Sequence, residues 1–239
     1  MVSFLKERRS SSRLQSRALS AFSPVLLAVA LGLVSPNSFA NEESEYFCEQ
    51  STFSREAKDY RLRESLRGRF NDNLVNHLAP AIDLLDQGII SRRVMSELDW
   101  TLERWPNHLL AFNALIRYSL AGGRIYEFQS AACYFARGRN AFPDDAGIVI
   151  AEAFYWWKTG EKELAKATYD EALQIAPGSP EAHYHLGLLH VELSEFDQAL
   201  EHAHAAYAGG YPLPGLRNAL ARRGHWQDPV QQSALSDSD

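Results

Sequence analysis

Between residues 146 and 213, apolar positions recur at three- and four-residue steps and are interrupted at regular intervals by turn residues. One apolar run goes from about Gly147 to Lys158 and stops at Thr159-Gly160. The next covers about Lys162 to Ile175 and stops ahead of Pro177. This pattern predicts two amphipathic helices joined by a short turn. A glycine ends a helix readily, and the residue before a proline is steered out of the helical region. A second pair is expected over Pro180 to Leu193 and Phe196 to Ala208, with Gly209-Gly210 as its stop. Pro180 suits a first helical turn, where its missing N–H costs nothing.

The second pair repeats the first at an offset of 34 residues: Ala153 falls over Gly187, Trp156 over His190, Ala165 over Ala199, Tyr169 over Ala203 and Ala172 over Ala206. Small side chains at fixed places let antiparallel helices approach, and large ones such as Trp156, Tyr169, Leu186 and Phe196 fill the space between. One helix pair cannot bury its apolar face alone, so several must stack. Upstream, residues 108–145 carry a third pair, with Leu115, Tyr118 and Gly122 in the first helix and Ala131, Phe135, Gly138 and Pro143 in the second. About four extra residues within Gly123 to Glu127 separate its helices. A degenerate fourth pair spans roughly Leu74 to Asn107, and Pro80 should kink or start its first helix. Leu213-Pro214-Gly215 opens a last short helix to about Arg223, with Leu216, Leu220 and Ala221 on one side to cover the final pair. The expected fold class is therefore all-α: an α-solenoid of about three to four antiparallel helix pairs over residues 73–225, closed by a C-terminal capping helix. Residues 41–72 read as an arm packed through Phe47, Cys48 and Tyr60, and residues 226–239 as a disordered polar tail.

With this period and these small-residue positions, the chain resembles the tetratricopeptide repeat family. It is also similar to a group of exported bacterial repeat proteins with no assigned activity. That second likeness rests on Asp59-Tyr60-Arg61, Pro106-Asn107-His108, Cys133-Tyr134-Phe135 and the stretch Gly210 to Arg217. The first resemblance implies that the first helix of each pair lines a concave binding side. The exposed positions there would be Phe112 and Ile116, then Ile150, Phe154, Trp157 and Lys158, then Tyr184, Leu188, Val191 and Glu192. Aromatic grooves of this kind suit peptide segments or partner helices. Two alternatives stand beside it: the arm or the terminal helix covers the groove, or the register is one residue off and Phe154 or Trp157 belongs to the core.

The first forty residues change the address. Lys6, Arg8, Arg9, Arg13 and Arg17 precede an apolar run from Ala21 to Val34, and Ser38-Phe39-Ala40 supplies small residues. This order is that of a secretory signal peptide, cleaved after Ala40. The run is too short to span a membrane comfortably, so a periplasmic protein is expected. Cleavage would leave 19 basic and 29 acidic residues, a net charge of −10. Such a chain is a poor partner for nucleic acid, whose phosphates need lysine and arginine. Export would also favour a disulfide between the only two cysteines, Cys48 and Cys133.

Catalytic and metal motifs are not evident. The chain has no phosphate-binding glycine loop, no Gly-x-Ser-x-Gly and no His-Glu-x-x-His. His183, His185, His190, His202 and His204 crowd into the last full pair, but none has the i, i+4 spacing that places two ligands on one helix face. Neither a cofactor nor a metal site is expected, and the chain is read as a non-enzyme. The functional expectation is a periplasmic scaffold or adaptor for a protein or peptide segment of the cell envelope. The alternatives are a non-catalytic accessory subunit of an envelope polysaccharide or secretion complex, and a metal protein or enzyme using the histidines.

Overall fold

The computed structural model describes residues 56–62, 74–123 and 130–229. The expected signal peptide, Phe47, Cys48 and most of the C-terminal tail lie outside the described residues. Among those described, there are nine α-helices and no strand. They are α1 (Ala79–Asp86), α2 (Arg92–Arg104), α3 (Leu109–Leu120), α4 (Ala131–Ala141), α5 (Ala146–Thr159), α6 (Lys162–Ile175), α7 (Pro180–Leu193), α8 (Phe196–Ala208) and α9 (Gly215–Arg222).

The boundaries follow local chemistry. Side chains of Ser130, Asp145 and Ser179 each accept a hydrogen bond from a backbone N–H of the helix they open, at 3.3, 3.1 and 3.3 Å, and so satisfy donors that have no intrahelical partner. Gly160 ends α5 with φ of 97° and Ser194 ends α7 with φ of 64°. Pro80 follows a turn that is already helical, with Leu78 in the right-handed helical region. It sits in the first turn of α1, and a single π-helical turn, Leu74–Leu78, precedes it.

α5 pairs closely with α6 and α7 with α8, while α7 also packs on α5 and α6. α9 closes on α7 and α8. The stack is therefore a run of antiparallel helix hairpins, as the 34-residue offset implies. Upstream, α3 and α4 touch each other and both pack on α5, and α2 packs on α1 and α3.

The core falls into three consecutive clusters. The first is built on Leu98, Phe112, Leu115 and Phe135, the second on Ala153, Ala165, Tyr169 and Leu186, and the third on Ala199, Ala203, Leu216 and Leu220. Close approach is set by glycine at two of the predicted small positions. A methyl group on Gly138 would lie 2.4 Å from the Pro106 carbonyl oxygen, and one on Gly187 would lie 2.5 Å from Leu216 Cδ2.

Two of the motifs behind the second resemblance meet in space. The segment 56–62 lies against the turn between α2 and α3. The buried Asn107 accepts from the Tyr60 N–H at 2.7 Å and donates to Asp59 at 2.7 Å and to Asp145 at 3.0 Å. Arg61 bridges Asp59 (2.8 Å) and Asp144 (3.0 Å), and the Tyr60 ring lies 4.1 Å from His108. Tyr60 thus packs on the body, and the Arg61 guanidinium holds the Asp59 carboxyl below its ordinary range.

Candidate functional site

The ten positions expected to line the groove do not share one depth. Phe112, Ile116, Ile150, Tyr184 and Val191 are buried, and Trp157 keeps 9% of its surface. Phe154 and Leu188 are half-buried, and Lys158 and Glu192 are exposed. The physical reason is that each first helix also packs on its neighbour, so the side turned toward the next pair is core rather than wall. Phe154 and Leu188 sit where that packing meets solvent. Phe154 packs against the first and second clusters, and Leu188 against the second and third.

A track of rings crosses two helix pairs from this edge. The Phe154 ring meets Trp157 edge-on at 6.0 Å and His185 at 5.5 Å. His185 lies 5.4 Å from Tyr184, which stacks on Tyr211 at 4.1 Å. Tyr169, from α6, runs parallel to His185 at a centroid distance of 6.3 Å.

At one end of the track a cation already sits on the rings. The Lys158 ammonium is 3.8 Å from the Trp157 ring centroid and 5.2 Å from that of Phe154, within the range where the negative face of an aromatic attracts positive charge. The Trp157 indole N–H donates to Glu192 at 2.7 Å, and Lys162 pairs with the same carboxylate at 2.6 Å. Both contacts hold the Glu192 carboxyl below its ordinary range.

At the other end two buried polar atoms, Tyr169 Oη and His185 Nδ1, have no hydrogen-bond partner among the described residues. A buried polar group left unpaired costs about 1–3 kcal/mol, so two side by side call for an explanation. Burial, with Glu181 and Tyr211 nearby, pushes the Tyr169 hydroxyl well above the usual tyrosine value. Burial and the Lys158 charge push the His185 imidazole down to about 4. His185 is therefore neutral at physiological pH.

The remaining histidines are partnered. His183 Nδ1 lies 2.9 Å from His202 Nδ1, and His183 Nε2 lies 3.0 Å from the Pro177 carbonyl. If Nε2–H donates to Pro177, Nδ1 is the acceptor and His202 the donor. His190 stacks on His202 at 5.2 Å and bonds Glu195 at 2.6 Å. Burial, then His190 and His183, lower His202 to about 4. No group of three or more His, Cys, Asp or Glu among the described residues is arranged to hold a metal ion, and no described helix is long and apolar enough to cross a membrane.

Tyr169, His185 and Tyr211 were not among the expected groove positions. The sequence did carry traces of them: His185 follows Tyr184, and Tyr211 lies in the Gly210 to Arg217 stretch. Their convergence depends on how α6, α7 and the turn after α8 are packed, which spacing within one helix does not reveal.

No family model matches the chain, and no curated protein matches it. Among solved structures it is similar to a thermophilic TPR protein of Thermus thermophilus, with 18% identity over 59% of this chain and 76% of that one, at a TM-score of 0.44.

Proposed function

We propose that the chain is a non-catalytic protein-interaction scaffold, exported to the bacterial periplasm, that presents the Phe154–Leu188 edge and its aromatic track to a segment of an envelope protein. The stacked helix pairs support the scaffold reading, because repeated hairpins offer extended surfaces assembled from several elements. The observation that carries it is the edge itself: Phe154 and Leu188 sit half-buried where successive pairs meet, backed by a largely buried track of rings from α5, α6, α7 and the turn before α9. The basic, apolar and small-residue order of the first forty residues supports export.

A photo-crosslinking residue placed at Phe154 or Leu188 in the native envelope tests this reading. The exposed Gln174 on α6 serves as the control position. Discrete adducts at Phe154 and Leu188 but not at Gln174 are expected. Adducts equal at all three positions, or at none, would remove the groove. Truncating Trp157 or Tyr184 is a poor test, because both are buried.

A further inference from the structure

We propose that the Tyr169–His185–Tyr211 end of the track binds a cationic side chain, arginine or lysine, from the partner segment. This rests on the scaffold reading and specifies the chemistry of what that surface takes.

Three independent observations converge there. The first is a set of unsatisfied groups. Tyr169 is fully buried, and neither its Oη nor His185 Nδ1 has a hydrogen-bond partner among the described residues. A phenol both accepts and donates, the unprotonated nitrogen of a neutral imidazole accepts, and the nearby Glu181 carboxylate accepts only. A donor-rich cation can serve all three, whereas a carboxylate or phosphate could meet only the phenol O–H and is repelled by Glu181.

The second is the rings. Phe154, Tyr184 and Tyr211 surround His185 within 5.4 to 6.4 Å, and aromatic faces favour positive charge. The track demonstrates this on itself, because the Lys158 ammonium rests on Trp157 and on Phe154, which itself lies against His185.

The third is the field. Residues 146–213 hold three lysines against ten carboxylates. Two of those lysines, Lys162 and Lys166, are engaged by Glu192 and Glu195 at 2.6 and 3.0 Å. Such a surface draws basic segments and turns acidic ones away.

The experiment uses the chain without residues 1–40 and a fluorescent eight-residue peptide with two arginines flanking a leucine. Its control is the same peptide with citrulline, which keeps the shape and removes the charge. Fluorescence anisotropy should show at least tenfold tighter binding of the arginine peptide, weakening as salt rises.

Tyr169→Phe removes only the unpartnered hydroxyl. It should weaken arginine-peptide binding about fivefold or more while leaving the thermal midpoint unchanged or raised. Lys158→Met removes the competing ammonium and should strengthen binding by about threefold. Equal binding of the two peptides overturns the proposal. A Tyr169→Phe variant with a lowered midpoint and intact binding also overturns it, because the hydroxyl then serves the fold. If the envelope crosslinks at Phe154 and Leu188 persist while the arginine and citrulline peptides bind alike, the scaffold reading stands and only the cation assignment falls.

Discussion

Ser194 adopts, at the end of α7, the left-handed backbone that Gly160 adopts at the end of α5, with φ of 64° and 97°. The two are 34 residues apart, so the same turn is built once with glycine and once without. A side chain in this region costs roughly 1 kcal/mol, which glycine avoids. Ser194→Gly should raise the unfolding free energy by about 0.5 kcal/mol, and Gly160→Ala should lower it by about 1 kcal/mol. Urea unfolding of both variants checks this, and a destabilised Ser194→Gly would contradict it.

Acid should weaken the fold through two imidazoles. His185 and His202 are each held at about 4, against an ordinary 6.5. The unfolded chain therefore binds protons that the folded chain refuses, and stability falls as pH drops from about 6.5 to about 4. His202 faces His183 and His190, and His185 faces Lys158 and three tyrosines. Each shift corresponds to at most about 3 kcal/mol, less whatever solvent screens. Urea midpoints measured from pH 8 to pH 4 should show the loss, with a shallower slope in His202→Gln. A flat profile in the unaltered chain would rule the mechanism out.

The clasp at Asn107 should hold residues 56–62 in place. Asn107→Ala removes three hydrogen bonds from a buried side chain and should cost about 2 kcal/mol. Hydrogen exchange gives the sharper readout. The Lys58 N–H bonds the Arg104 carbonyl at 2.8 Å and should lose its protection in the variant before α5 to α8 do.

Glycine contacts set two further expectations. Gly138→Ala would push a methyl into a backbone carbonyl, which cannot swing aside, whereas Gly187→Ala meets a leucine side chain that can. Gly138→Ala should therefore be the more damaging, by roughly 1–3 kcal/mol, and paired thermal melts decide the order.

Cys133 is fully buried on α4. Its expected bond to Cys48 should appear as one linked peptide in non-reducing mass spectrometry. Two alkylatable thiols in the native chain would refute it.

Much of the fold was legible because glycine, proline and alanine act locally. Gly160 ends α5, Pro180 opens α7, and α6 stops at Ile175, two residues ahead of Pro177. The offset of 34 residues returned both helix pairs with nearly the expected limits. Pro80 was the ambiguous case: a proline can break a helix or begin one, and here it sits where a π-helical turn passes directly into α1, marking a change of helix type.

The site was less legible because periodicity reports which side of a helix is apolar, not how deep it lies. Trp157 and Phe154 are three residues apart and look alike in sequence, yet Trp157 is nearly enclosed and Phe154 is at the edge. Tyr169 fell to a large-residue packing position, and nothing in its spacing announced an unpartnered hydroxyl.

Phe154 and Leu188 each touch two of the three core clusters while remaining open to solvent. They are the mortar between courses of the stack. A guest seated on them would brace the joints it covers, so docking and resistance to fraying would rise together, and the hairpins on either side of each joint would open as one block rather than in turn.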